Sequence, residues 1–124
     1  MVEKSETDGK RIAELLSSEL TGHENAPFDR LAVANADPDV EPTTDGARAY
    51  DVEADGERLA SVYVQPDRAR VELVSGLDAA REAAESGGLR TRPVGGEPPR
   101  LVVFVESGVD AKRALDAVGA ATMA

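Results

Sequence analysis

Arg48-Ala-Tyr-Asp-Val-Glu-Ala-Asp-Gly-Glu-Arg-Leu-Ala-Ser-Val-Tyr-Val-Gln-Pro-Asp-Arg-Ala-Arg-Val-Glu-Leu-Val74 is the stretch whose reading decides the fold. Asp55-Gly56 is a two-residue hairpin signal, because both residue types tolerate positive φ. Pro66-Asp67 makes a second tight turn. Three antiparallel strands follow, over residues 48–54, 57–65 and 68–74. Turn length fixes register. Counting from the first turn places Val52 opposite Leu59, Tyr50 opposite Ser61 and Arg48 opposite Tyr63. Counting from the second places Val64 opposite Ala69, Val62 opposite Val71 and Ala60 opposite Leu73. One face then carries Ala60, Val62, Val64, Ala69, Val71 and Leu73, which is a core face. The other carries Arg48, Tyr50, Val52, Ser61, Tyr63, Arg70 and Glu72, a mixed and wet face. On this register Val62→Asp unfolds the domain and Ser61→Asp is nearly neutral.

Upstream, Ile12, Leu15, Leu16 and Leu20 form one apolar stripe, predicting a helix over 6–21. Ser5 with Asp8 spells a capping box and Gly22 a C-terminal stop. A short strand is expected over 28–35, with Leu31 and Val33 on one face. An exposed loop rich in proline and acid comes next. Downstream, Val71–Arg81 resembles Val103–Arg113 at an offset of 32. Each copy reads as strand, Ser-Gly, helix, with Ser75/Asp78 and Ser107/Asp110 as capping boxes. The helices are expected over 76–85 and 108–118, the second stopped by Gly119. Strands are expected over 89–94 and 101–106, and the apolar run Leu101-Val-Val-Phe-Val105 implies a strand buried on both faces. The predicted order is α-β-β-β-β-α-β-β-α. It describes a single α+β domain over residues 1–124, with a mostly antiparallel sheet and helices on one face. Residues 1–4 and about 120–124 are expected to fray.

The chain has 124 residues, 24 of them acidic and 14 basic, for a net charge of −10. Only Lys4, Lys10 and Lys112 are lysines, and the remaining basic residues are arginines. Aromatics are 3% and cysteine is absent, which excludes disulfides, thiolate metal sites and cysteine nucleophiles. His23 is the one histidine, so a zinc site built on histidines is excluded too. The longest apolar runs are far short of a membrane span. This composition resembles that of small acidic haloarchaeal proteins. The resemblance implies a cytoplasm in molar salt, where the Debye length is about 3 Å and a crowded acidic surface repels itself little.

Four constellations could carry chemistry. Tyr50 and Tyr63, the only tyrosines, share the inferred wet face with Arg48 and Arg70. Interface cores enrich these two residue types, although arginine–glutamate pairs such as Arg70 with Glu72 explain the face equally. Arg90, Arg92 and Arg100 could grip a carboxylate or phosphate, or simply pair with the abundant acids. The two Ser-Gly helix starts lack the glycine fingerprints of phosphate-binding loops and read as caps. Asp37, Asp39, Glu41 and Asp45 have calcium-loop spacing, but Pro42 stands where the turn glycine belongs.

No catalytic pair can be singled out among the dispersed acids, and neither a metal nor a cofactor is expected. The leading expectation is a non-enzymatic module that binds another protein or itself through Arg48, Tyr50, Tyr63 and Arg70. The alternative is a small-anion or nucleotide-binding regulatory domain using Arg90, Arg92 and Arg100. Enzymatic carboxylate chemistry ranks third. Nucleic acid is disfavoured by the net charge, and no membrane partner is expected.

Overall fold

Asp55 and Gly56 both take positive φ, +52° and +84°, as the mirror-image hairpin turn requires. The hairpin they close lies within a computed structural model that describes residues 8–124. The expected helix start at residue 6, its Ser5 cap and the expected fraying of residues 1–4 lie outside the described residues. The elements are α1 (Gly9–Leu20), a 3-10 turn (Phe28–Arg30), β1 (Leu31–Ala34), β2 (Ala47–Ala54), β3 (Glu57–Gln65) and β4 (Arg68–Leu73). They continue as α2 (Leu77–Ser86), β5 (Thr91–Val94), β6 (Arg100–Val105) and α3 (Gly108–Met123). The expected order of strands and helices is therefore the observed one, and the class is α+β.

All six strands form one sheet in the order β1-β2-β3-β4-β6-β5, every neighbouring pair antiparallel. β6 inserts between β4 and β5, so the connection through α2 skips one strand. β6 is internal as its apolar run implies, but the expected burial on both faces is only partial, because Phe104 lies half-buried on the face that no helix covers. α1 packs on β3 and β4, α2 and α3 pack on β6, and α3 lies between the other two helices. The opposite sheet face carries no helix.

The core is where the second turn places it. Ala60, Val62, Val64, Ala69 and Leu73 are completely buried, as are Ile12, Leu16 and Leu20 of α1. Burying a side chain of the Leu or Ile class stabilises by roughly 1.5–3 kcal/mol. The short residues of the sheet leave room for the larger ones of α1.

The first hairpin departs from the expected register. Val52 pairs with Ala60, Asp51 with Ser61 and Tyr50 with Val62, while Arg48 does pair with Tyr63. Two bulges explain this. Leu59 is an extra residue on β3 and Ala49 a compensating one on β2, so register slips by one and then returns. Tyr50 and Val52 consequently face the helices. Tyr50 is 5% exposed and its hydroxyl donates to the Ala13 carbonyl of α1 at 2.8 Å. Tyr50 is thus a core residue, not part of the wet face. Ser61 is on the helix-free side as expected, yet it is buried, which argues against the expected tolerance of Ser61→Asp.

The helix ends also differ from expectation. Asp8 caps α1, its carboxylate accepting from the Arg11 N–H at 3.0 Å. Ser107 caps α3 as expected, its hydroxyl accepting from the Asp110 N–H at 3.2 Å, but Asp110 in return accepts from the N–H of Glu106, one residue before the cap, and not from that of Ser107. Ser75 does not cap α2, because Gly76 takes the N-cap position in the left-handed region. Gly119 does not stop α3. The helix runs on to Met123, with Ala121 and Thr122 buried where fraying was expected. Gly119 is instead a contact point, since a Cβ there would come within 2.5 Å of the Phe28 ring. His23 is exposed and its ring lies 5.2 Å from that of Phe28.

Candidate functional site

β-strand register brings three side-chain rows onto the helix-free face. The first runs Arg48, Tyr63, Arg70, Phe104, and continues to Arg90, whose carbonyl accepts from the Phe104 N–H. Arginine and aromatic side chains alternate across it. The Arg70 guanidinium sits 5.1 Å from the Tyr63 ring centre, and Arg90 sits 5.1 Å from that of Phe104. At about 4.8 Å per strand the row is about 19 Å long. The second row is Asp51, Ser61, Glu72, Val102 and Arg92. The third holds Glu53 with Arg58, and Val94 with Arg100.

The middle row organises the other two. Glu72, with its side chain 12% exposed, accepts from Arg70 Nε at 3.1 Å and from Arg100 Nη1 at 3.0 Å. Asp51, 3% exposed, accepts from Arg48 Nε at 3.0 Å and from Arg48 Nη2. Ser61 Oγ donates to it at 2.6 Å and Asn35 Nδ2 at 2.8 Å. Burial pushes the Asp51 carboxyl up. The hydrogen bonds from Ser61, Asn35 and Arg48, with the Arg48 charge, outweigh burial and hold it below the ordinary carboxylate value. Beyond these rows, Glu106 accepts from Arg68 at 3.2 Å and from Arg90 at 3.3 Å.

The two sequence-predicted clusters therefore meet on one surface. Arg48, Tyr63 and Arg70 occupy one side of it, and Arg90, Arg92 and Arg100 the other. Tyr50 is absent, for the register reason given above. The clusters are unequal in availability. Arg70 is 20% exposed, wedged between the Tyr63 ring and Gly46. A Cβ on Gly46 would come within 2.8 Å of the Arg70 Nη2, so the loop before β2 helps to bury this guanidinium. The side chains of Arg90 and Arg100 are 64% and 46% exposed. Arg92 is exposed and has no carboxylate partner among the described residues.

Phe104, Val102 and Asp51 belong to the site although sequence reasoning does not place them there, and Glu72 enters it as the expected partner of Arg70. Arg100, Val102, Phe104 and Glu106 alternate along β6, which marks a second, polar-edged face, but the unbroken apolar run hides that period. Val102 is 7% exposed although no helix covers it. Its neighbours by register are Glu72 and Arg92, long side chains able to shade it with their stems.

Charge is segregated. Within the strands the helix-free face carries Arg48, Arg58, Arg68, Arg70, Arg92 and Arg100 against Asp51, Glu53 and Glu72, in a chain whose net charge is −10. The strand ends add Arg90 and the acids Asp55, Glu57, Asp67 and Glu106. The middle of the face is thus net positive and its rim acidic. Among the described residues no group of three or more histidine and acidic side chains converges on a metal-sized position. No helix of the described residues is long and apolar enough to cross a membrane.

A two-layer α+β domain with one uncovered, arginine-studded sheet face is the class that this geometry defines. The chain belongs to a family of unknown function (DUF7993), whose match extends over residues 1–124. No curated protein and no solved structure matches it.

Proposed function

We propose that this protein is a non-catalytic binding module of a high-salt cytoplasm, and that it docks another protein on its helix-free sheet face. The Arg48–Tyr63–Arg70–Phe104–Arg90 row carries this reading. It concentrates the residue types that dominate interface cores, and its rigid stacked geometry limits the side-chain entropy lost on docking. The charge of the face selects the partner over a second copy. Two such faces meeting symmetrically would oppose arginine-rich surfaces whose central carboxylates, Asp51 and Glu72, are already engaged. The halophilic setting rests on composition: 24 acidic residues, few lysines and 3% aromatics.

The test is the pair Tyr63→Ser/Phe104→Ser, with Arg90→Glu as a variant that removes no packed ring. Co-purification in molar KCl should lose the same partner in both, with the fold retained by circular dichroism. Unchanged capture by both folded variants rejects the reading. A second reading, a small-anion or nucleotide-binding regulatory domain, draws on Arg92, whose guanidinium lacks a carboxylate among the described residues. It predicts saturable binding of inorganic phosphate by calorimetry.

A further inference from the structure

At the corner where β5 meets β6, exposed arginines on the open face adjoin an apolar cup that opens toward α2. Arg90, Arg92 and Val94 follow one another at alternate positions on the open face of β5, spanning about 13 Å. Arg100 stands opposite Val94. Between the β5–β6 hairpin and α2 lies a cup of about 220 Å³, lined by Leu77, Pro93, Val94, Pro99 and Leu101, with Asp78, Arg81 and Arg100 at its polar edge. Cavities that hold cofactor-sized ligands run to about 300–1,000 Å³, so this one suits a single side chain. Elsewhere on the face each guanidinium has a protein partner. Arg48 is held by Asp51, Arg70 by Glu72 and Arg58 by the Ser61 hydroxyl. At this corner Arg92 is unpaired among the described residues, while Arg90 and Arg100 each touch one carboxylate, Glu106 and Glu72, and keep their side chains 64% and 46% exposed.

We infer that this corner seats a short acidic segment of a partner protein, with carboxylates on Arg90, Arg92 and Arg100 and one aliphatic side chain in the Val94 cup. The inference rests on the binding-module reading and names the partner's chemistry. Charge complementarity selects carboxylates, and the planar guanidinium fork takes them bidentately. Molar salt abolishes steering at a distance but screens direct, partly desolvated pairs much less. The cup supplies the apolar contact that salt does not weaken. At about 3.3 Å per residue, an extended segment of about four residues matches the length of β5 from Val94 to Arg90. Nucleic acid fits less well, because the carboxylates Asp51 and Glu72 run through the centre of the face and the chain as a whole is negative.

The experiment uses the full chain and fluorescein-labelled peptides, read by anisotropy over a KCl series. The probe is a glutamate peptide with one central leucine. Comparators replace the leucine by serine or the glutamates by lysine, and a short oligouridylate and inorganic phosphate complete the set. The acidic leucine peptide should bind best. Arg92→Glu and Val94→Asp should each weaken it at least tenfold, and Lys112→Glu on α3 should leave it within twofold. Loss of the leucine should cost about tenfold, and phosphate should compete weakly. The proposal is overturned if the peptide does not bind or if Arg92→Glu leaves its affinity unchanged. Tighter oligouridylate binding makes nucleic acid the occupant, and full displacement by phosphate makes the corner a small-anion site. A dimer in sedimentation that Arg92→Glu dissolves makes the occupant a second copy. If every peptide fails while Phe104→Ser still abolishes partner capture, this inference falls and the binding-module reading stands.

Discussion

At Asp51 four donors meet one carboxylate on a sheet face that no helix covers. The group ties β1 to β2 through Asn35 and β2 to β3 through Ser61, and it fixes Arg48 at the head of the arginine–aromatic row. Asp51→Asn leaves one acceptor oxygen and turns an amide N–H toward donors, so it should cost about 2–3 kcal/mol. Its pH signature is distinct. The folded carboxyl titrates below the ordinary value of about 3.9, so the unfolded chain binds the proton first. The stabilisation is complete above that value and is lost as pH falls through the lowered folded one. Urea midpoints measured over an acid series should therefore fall less steeply in Asp51→Asn than in the parent. Ser61→Asp should behave as a core lesion, because it forces a second carboxylate against Asp51. Its midpoint should drop by an amount comparable to that of Val62→Asp, several kcal/mol each. A near-neutral Ser61→Asp would show that the site is wetter than its 3% exposure implies.

Turns announce themselves in a sequence and bulges do not, and β2 shows the consequence. The Pro66-Asp67 turn joins two strands without a bulge, so counting from it places the core faces of β3 and β4 correctly. The Asp55-Gly56 turn is followed by an extra residue at Leu59, and counting from it misplaces Tyr50 and Val52. A corrective signal was present. Tyr50, Val52 and Ala54 alternate with Asp51 and Glu53, which assigns the apolar set to the core whatever the turn says. Part of the candidate site was legible in the same way, since alternation places Tyr63 with Ser61, Arg70 with Glu72, and Arg90 with Arg92; Arg48 shares the parity of Tyr50 and reaches the open face only through the bulge at Ala49. Phe104 was not legible, because a run of five apolar residues conceals which side each one takes. Nor could Gly119 be read from its own position. A glycine near a helix end resembles a stop, and only the ring of Phe28, distant in sequence, makes it a contact. Gly119→Leu should keep α3 helical while displacing Phe28 and the 3-10 turn. The expected result is unchanged far-ultraviolet dichroism with a lower unfolding midpoint, corresponding to about 1–3 kcal/mol of lost stability.

Across the whole molecule, the acids are spread over the helix layer and loops while the arginines gather on the sheet. Self-repulsion among the former falls as salt rises. The unfolding midpoint should therefore increase from about 0.1 to about 2 M KCl, and an uncharged osmolyte should not fully replace the salt. A flat midpoint across the series would sink the halophilic reading. That sheet has two ends. β5 is an edge of only four residues, Thr91–Val94, and Pro93 sits within it. The Arg90 carbonyl bonds to β6, and strand alternation then turns the backbone nitrogens of residues 91 and 93 outward. Proline has no proton to offer there, so an incoming strand finds an incomplete ladder. The same short segment thus presents its arginines to solvent and withholds its main chain. Restoring the donor with Pro93→Val should convert this end into a template for strand addition. The change would be seen as concentration-dependent scattering and thioflavin binding that the parent does not develop. Indefinite sheet growth from molecule to molecule is what one missing N–H holds in check.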